Sequence, residues 1–157
     1  MRIGHGFDAH RFSESGELIL GGVTIDEAPK LEAHSDGDVL IHAVCDALLG
    51  ALGMGDIGMH FPDTDDEWEN VDSRKLLRHV VSLMAKEGYC VGNCDVSIIA
   101  QKPRLANHLP AMKELLSLDM EINQSQLNIK ATTTEKMGYI GRAEGIAVHS
   151  VVFIVAA

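Results

Sequence analysis

The hydrophobic and polar positions of the chain fall into alternating strand-like and helix-like segments. Strand patterns cover Met1–Phe12, Glu17–Ile25 with a Gly-Gly break, Val91–Gln101, LNIKATTTE at 127–135, and the apolar segment 145–157. Helical patterns cover Asp36–Leu52, RKLLRHVVSLMAKEG at 74–88 with Ser73 as N-cap, and HLPAMKELLSLDM at 108–120 with Pro110 in its first turn. Strands interleaved with helices predict one α/β (α+β) domain over residues 1–157, with helices on one face of a sheet.

Between the first two helical patterns, residues 55–70 are rich in Gly, Asp and Pro and are predicted to be loop. The formal net charge of -10 argues against a nucleic-acid partner and against an anionic membrane surface. The three cysteines are odd in number and predict reduced thiols. Without a signal-like or spanning segment, we expect a cytoplasmic protein.

The helix predicted at 36–52 is mostly apolar, yet Asp38, His42 and Asp46 recur every four residues along one face. Buried charges need partners, and a metal ion suits carboxylates and imidazole alike. In the first strand, Asp8 and His10 are two residues apart and project from the same face. Together with His42 they form an Asp/His/His set typical of zinc with one open position.

Asp38 and Asp46 lie one helical turn on either side of His42, so either could accept a hydrogen bond from its other ring nitrogen. The alternative is a D-x-H pair that occurs by chance and a helical histidine that belongs to the core.

A second polar cluster follows the strand pattern that begins at Leu127. Three threonines and Glu135 offer hydroxyls, N–H groups and a carboxylate where a helix could start, which suits phosphate oxygens and a hard cation such as Mg²⁺. Thr132-x-x-Glu135 equally fits a capping box, which needs no ligand. The spacing leaves both interpretations open.

Five segments together resemble the 2-C-methyl-D-erythritol 2,4-cyclodiphosphate synthases of the non-mevalonate isoprenoid pathway. They are GFDAH, AHSDGDVLIHAVCDALLGALGMGDIG, HFPDTD, IIAQKPR and KATTTEKMGYIGRAEGIA. The resemblance runs from the first residues to the last strand. It implies a mixed sheet and a homotrimer whose active sites lie between chains.

The resemblance also implies a reaction and its cofactors. The 2-phosphate of 4-diphosphocytidyl-2-C-methyl-D-erythritol 2-phosphate attacks the β-phosphorus, which closes a cyclic diphosphate and releases CMP. Zinc is expected at Asp8, His10 and His42, and magnesium or manganese at Glu135. His34 and Thr133 are the implied transition-state stabilisers.

The implied substrate contacts form several groups. Phosphate contacts are expected from His34, Ser35, Thr132 and Thr133, ribose and methylerythritol contacts from Asp56 to Gly58, and a flap from Phe61 to Asp65. Residues 100–106 are expected to surround cytosine. The complete set is Asp8, Ala9, His10, His34, Ser35, Asp56, Ile57, Gly58, Phe61, Pro62, Asp63, Thr64, Asp65, Ala100, Gln101, Lys102, Pro103, Arg104, Leu105, Ala106, Thr132, Thr133, Thr134, Glu135, Tyr139 and Arg142.

Arg104 departs from the lysine that is frequent in the family, and its planar guanidinium binds phosphate in a different geometry. Two other functional classes compete with the synthase. A metal-dependent phosphoesterase would use the same Asp/His/His set with a water nucleophile, whereas a non-catalytic nucleotide-binding module would explain the threonines and glycines but not an open zinc site.

Overall fold

Most of the predicted elements are present in the computed structural model, which describes residues 1–33, 35–62 and 71–157. The strands are β1 (Arg2–Arg11), β2 (Leu18–Leu20), β3 (Val23–Ile25), β4 (Tyr89–Ile99), β5 (Leu127–Thr132) and β6 (Gly145–Ala156). The helices are α1 (Val39–Leu52), α2 (Ile57–His60), α3 (Ser73–Lys86), α4 (Leu109–Asp119) and α5 (Gly138–Gly141), with a 3-10 turn at Gln124–Gln126.

Four strands form a mixed sheet in the order β1-β6-β4-β5. Strand β6 is antiparallel to both β1 and β4, whereas β4 and β5 run parallel. The register places Asp8 of β1 opposite Val148 and His10 opposite Ile146 of β6. The first and last strands of the order are therefore the two edges of the sheet.

The two faces of the sheet differ in exposure. One face carries buried side chains such as Val148, Val152, Val96 and Ile98, and α1 packs against it over β1 and β6. The opposite face exposes apolar side chains, including Ile3 at 71%, Phe7 at 47% and Val151 at 45%. The expectation of a mixed sheet with helices on one face is confirmed.

Glycines let α1 lie directly against β1. Gly4 and Gly6 lie on the face of the strand that meets the helix. A Cβ added at Gly4 would lie 1.8 Å from the carbonyl oxygen of Ala47, and one added at Gly6 would lie 1.9 Å from that of Ala43. No other residue fits such a backbone contact. Asp8 and His10 follow on the same face of the strand, so the contact brings them beside the start of α1.

The prediction of one interrupted strand at Glu17–Ile25 is wrong. The Gly-Gly pair forms a tight turn with φ of 59° at Gly21 and 75° at Gly22, and β2 and β3 pair as a separate two-stranded hairpin. Consecutive positive φ values are characteristic of the turns that close two-residue hairpins.

Two smaller predictions also need correction. Asp72, not Ser73, is the N-cap of α3, since its side chain accepts from the backbone N–H of Arg74. Within the predicted loop 55–70, Ile57–His60 form the short helix α2, capped by Asp56; residues 63–70 of that loop lie outside the described residues. Across the described ranges, no helix is both long and apolar enough to cross a membrane.

The close contact of α1 with β1 makes Gly6 hard to replace. Gly6→Ala should lower the free energy of unfolding by about 3 kcal/mol or more, because the new Cβ cannot fit without moving the backbone of α1. Urea unfolding followed by circular dichroism measures the change.

Gly50→Ala is the matched control, because Gly50 lies on α1 and its nearest neighbour to an added Cβ is 3.9 Å away. This substitution should leave stability unchanged or raise it by up to about 1 kcal/mol. Equal stabilities for the two variants would contradict the role assigned to Gly6.

Candidate metal centre and active site

Three side chains from β1 and α1 form one cluster, which we call the metal cluster: Asp8, His10 and His42. Each offers one ligand atom, and these atoms lie within 4.8 Å of one another. His42 is buried, and Asp8 and His10 are half-buried. Two imidazoles and a carboxylate suit zinc or another divalent transition metal, and leave a position for an exogenous ligand.

The ring of His10 is oriented by a backbone carbonyl. Its Nδ1 lies 2.7 Å from the carbonyl oxygen of Glu32, which can only accept, so Nδ1 carries a proton. Its Nε2 lies 2.7 Å from Oδ2 of Asp8. The nitrogen that faces the cluster is therefore the one available to a metal.

The ring of His42 is held between a carboxylate and two hydroxyls. Its Nδ1 lies 3.2 Å from Oδ2 of Asp8, and its Nε2 lies 3.1 Å from Oγ of Ser35 and 3.0 Å from Oγ of Ser73. The prediction that Asp38 or Asp46 would accept from this ring is wrong.

Those two carboxylates bind backbone instead. Asp38 is fully buried and accepts from the N–H groups of Gly21, Gly22 and Ile41, so it caps α1 and fixes the hairpin turn to it. Asp46 accepts from the N–H of Ile57 at 2.8 Å and thereby fastens the segment after α1. Burial raises the pKa of both carboxyl groups, against the opposing effect of these hydrogen bonds.

Asp8 and His10 shift each other's pKa in opposite directions. Burial disfavours the charged form of Asp8, but hydrogen bonds from His10 and His42 outweigh it and hold the pKa of this carboxyl well below its usual range. Burial likewise lowers the pKa of His10, but the hydrogen bond and charge of Asp8 raise it above 6.5. Asp8 is thus kept ionised, as a metal ligand must be.

The residues after β5 do not form the capping box that was one of the two interpretations of their spacing. No helix begins at Thr132; Oγ1 of Thr133 accepts from the N–H of Glu135, and Glu135 and Lys136 adopt positive φ values of 52° and 66°. We call Thr132–Glu135 the threonine turn. Most of its residues are exposed, which leaves hydroxyls and a carboxylate on the surface.

The predicted cytosine-binding segment packs beside the threonine turn. The N–H of Ala100 donates to the carbonyl of Thr132 at 2.9 Å, and Oε1 of Gln101 accepts from the N–H of Lys136 at 3.2 Å. Lys102 and Arg104 are exposed on the same segment, with Leu105 buried beneath it. The structure therefore brings together these two sequence-predicted groups.

The threonine turn is distant from the metal cluster. Asp8 lies on edge strand β1, whereas Thr132 ends the opposite edge strand β5, three strand spacings or about 14 Å away. Register through Val148 and Ile98 pairs Asp8 with Ala131, so Thr132 projects from the other face. Within one chain the two groups do not share a pocket.

The remaining predicted contacts lie in several places. Asp56 caps α2 and accepts from the N–H of Met59, Phe61 is buried edge-on against the ring of His79, and Pro62 is exposed. Tyr139 lies in α5 and Arg142 just after it, where its guanidinium pairs with Glu144. Four further predicted contacts belong to segments described above: Ala9 to β1, Gly58 to α2, Ala106 to the segment 100–106 and Thr134 to the threonine turn. Four others lie outside the described residues: His34, Asp63, Thr64 and Asp65.

Sequence patterns did not identify the groups that orient the two histidines. Glu32 contacts His10 through its backbone carbonyl alone, and the sequence pattern predicts Ser73 to be a helix cap. A helix-capping pattern explains a serine at this position without any partner, so nothing in the local sequence links Ser73 to His42.

The fold and the metal cluster define a class: a mixed α/β protein with a candidate Asp/His/His metal site on its first strand and first long helix. The YgbB family model matches residues 1–155. The 2-C-methyl-D-erythritol 2,4-cyclodiphosphate synthase of Nitrosococcus oceani is 62% identical over 98% of both chains. The chain therefore belongs to the 2-C-methyl-D-erythritol 2,4-cyclodiphosphate synthase family.

Solved structures agree with this assignment. The bifunctional IspDF protein of Campylobacter jejuni is similar over 99% of this chain and 42% of that one, with a TM-score of 0.95 and 43% identity. The Plasmodium falciparum IspF, solved as a CDP complex, is similar over 99% of this chain and 96% of that one, with a TM-score of 0.87 and 35% identity.

The pairing of Asp8 with His10 predicts a pH effect in the metal-free protein. Asp8→Asn should lower the pKa of His10, because the interactions that raise it are lost while burial remains. A raised folded-state pKa gives stability that is complete below the unfolded value near 6.5 and is lost as pH rises through the folded value. Wild type should lose stability over that interval and the variant should not.

Histidine NMR titration and urea unfolding from about pH 6 to about pH 9 measure both effects. Asp95→Asn is the control, because Asp95 pairs with Lys130 on the far side of the sheet. A His10 titration that is the same in Asp8→Asn as in wild type would refute the pairing.

Proposed function

We propose that the protein converts 4-diphosphocytidyl-2-C-methyl-D-erythritol 2-phosphate to 2-C-methyl-D-erythritol 2,4-cyclodiphosphate and CMP, in the non-mevalonate pathway to isoprenoids. The observation that carries the proposal is the cluster of Asp8, His10 and His42, formed by residues far apart in sequence in a chain of this family. Such a cluster is unnecessary in a protein that only binds a nucleotide.

In the proposed reaction an oxygen of the substrate's 2-phosphate forms a bond to the β-phosphorus. The bond from that phosphorus to the oxygen bridging it to the α-phosphorus breaks, and CMP leaves with that oxygen. Because the attacking group is already an anion, no side chain has to remove a proton. The protein has to fold the substrate, offset its charge and align the attack.

The residues of the metal cluster fit zinc, and Glu135 fits magnesium or manganese. Bound there, the ions would supply Lewis acidity and positive charge at the phosphate oxygens. A protein with net charge -10 needs such local compensation to bind a polyanion.

The chain's own residues would hold the rest of the substrate. Lys102, Arg104 and Arg142 are exposed cations near the threonine turn, where Thr132 and Thr133 offer hydroxyls to the α-phosphate. Backbone groups of 100–106 would bind cytosine, and Asp56 to Gly58 the ribose. His34 and Thr133 are the proposed stabilisers of the transition state, with Ser35, Thr134 and Tyr139 contributing further contacts.

Product analysis tests the reaction. Zinc-loaded protein with Mg²⁺ and the substrate should release CMP and the cyclic diphosphate in equal amounts, as followed by ³¹P NMR, because the reaction is an intramolecular displacement. Inorganic phosphate or a linear diphosphate would instead indicate a phosphoesterase. Tight CDP binding without turnover would indicate a nucleotide-binding module, and either outcome refutes the proposal.

The proposed active unit is a homotrimer with sites between chains. Two observations support assembly: the metal cluster and threonine turn lie on opposite edges of the sheet, and the face away from α1 exposes Ile3, Phe7 and Val151. In a closed ring the interface is heterologous, so one edge of a chain meets the other edge of its neighbour. The metal cluster of one chain would then complete a pocket with the threonine turn of the next.

Mixing two inactive variants tests this arrangement. His42→Ala should lose zinc, and Glu135→Gln should retain zinc but lose its response to Mg²⁺. After joint refolding in equal amounts, a site is intact only if its zinc half comes from a Glu135→Gln chain and its other half from a His42→Ala chain. Activity should therefore recover to about a quarter of wild type.

Each variant refolded alone should remain inactive, which serves as the control. If chain mixing is demonstrated by mass spectrometry and no activity returns, each pocket is built within one chain and the shared-site arrangement is wrong.

A further inference from the structure

A chain of hydrogen bonds links His42 to a carboxylate outside the metal cluster. Ser73 is fully buried at the first position of α3, and its hydroxyl donates to Oδ1 of Asp36 at 2.5 Å. Its backbone N–H donates to Oδ2 of the same carboxylate at 2.9 Å. On its other side, Oγ of Ser73 lies 3.0 Å from Nε2 of His42.

Counting protons along this chain places a proton on Nε2 of His42. A serine hydroxyl has one hydrogen, and the carboxylate of Asp36 can only accept, so that hydrogen lies toward Asp36. The oxygen of Ser73 can then only accept from His42, which requires a proton on Nε2. The other ring nitrogen, Nδ1, faces the metal cluster, 3.2 Å from Oδ2 of Asp8, and donates to that carboxylate in the metal-free protein. A metal ion at the cluster would replace this proton and leave the one on Nε2 in place.

We propose that Asp36, acting through Ser73, is a positioning residue that sets the tautomer and ring orientation of His42 for metal binding. Carboxylates behind metal-binding histidines commonly act in this way. Here the carboxylate reaches the ring through an intervening hydroxyl. The inference rests on the metal site of the proposed function and not on the identity of the substrate.

Ser35 is the competing acceptor, since its hydroxyl lies 3.1 Å from the same nitrogen. Its oxygen also receives the N–H of Gly37 at 3.3 Å. Among the described residues, no carboxylate takes the proton of Ser35, so nothing there forces it to act as an acceptor. Asp36 is itself held in place, because the N–H of Asp38 also donates to its Oδ1 at 3.1 Å.

The first test locates the ring proton directly in zinc-loaded wild type. Long-range ¹H–¹⁵N NMR should show a proton on Nε2 of His42 and none on Nδ1. In Asp36→Asn the Ser73 hydroxyl is no longer held as an acceptor, so the Nε2 proton should exchange faster with water. A wild-type zinc complex with the proton on Nδ1 of His42 would overturn the proposal, whatever the variants do.

The second test measures affinity for the zinc ion alone, by competition with a chromophoric chelator. Ser73→Ala and Asp36→Asn should each weaken zinc binding by about 10- to 100-fold. Ser35→Ala is the matched control, with the same substitution at nearly the same distance from Nε2, and should change affinity far less. A larger loss in Ser35→Ala than in Ser73→Ala would overturn the proposal.

A double-mutant cycle separates positioning from general structural damage. Because Asp36 acts through Ser73, combining Asp36→Asn with Ser73→Ala should lower zinc affinity no further than the more damaging of the two single substitutions. The effects of Asp36→Asn and Ser35→Ala on the free energy of zinc binding should instead add. Additive losses from Asp36→Asn and Ser73→Ala would contradict the relay. Failure of wild type to bind zinc would refute the metal site itself, which distinguishes the two ideas.

Discussion

The backbone contact between α1 and β1 is the constraint on which the metal cluster depends. Gly4 and Gly6 lack the Cβ that would collide with the carbonyls of Ala47 and Ala43, so the helix lies directly on the strand. Asp8 and His10 follow Gly4 and Gly6 on the same face of β1, just beyond the contact with the helix. His42, near the start of α1, consequently lies 3.2 Å from Oδ2 of Asp8, and its ring centroid lies 5.4 Å from that of His10. Wider separation of helix and strand would leave three ligands without a common centre.

Asp38, His42 and Asp46 lie on one face of the first long helix, and each has different hydrogen-bond partners. Asp38 binds backbone N–H groups of the hairpin turn and of its own helix, and Asp46 binds the N–H of Ile57. Only His42 faces the cluster, and its second nitrogen is covered by hydroxyls from Ser35 and Ser73. A four-residue repeat on one helix therefore reflects three separate tertiary contacts. Each is consistent with the cost of burying a polar group that lacks a partner.

The sheet separates the two polar groups that the family reaction would require together. Its edges carry Asp8 and His10 of the metal cluster on β1 and the threonine turn after β5, and the face away from α1 exposes Ile3, Phe7 and Val151. An edge-to-edge arrangement of identical chains would bring unlike groups together at every interface. Placing the divalent ions and the cations Lys102 and Arg104 around one substrate would also offset the acidic balance of the chain.

The sequence by itself determined the long strands and helices, the three members of the metal cluster and the family. Periodicity identifies an element because side chains on one face must all be buried or all be exposed, and D-x-H on a strand places both ligands on one side. Tertiary structure alone decided the hydrogen-bond partners: the backbone bonds of Asp38 and Asp46, and the hydrogen bonds that link Asp36 through Ser73 to His42. These contacts join residues 11 to 37 positions apart and depend on atomic positions to within about 0.5 Å, and local pattern carries no information at that precision.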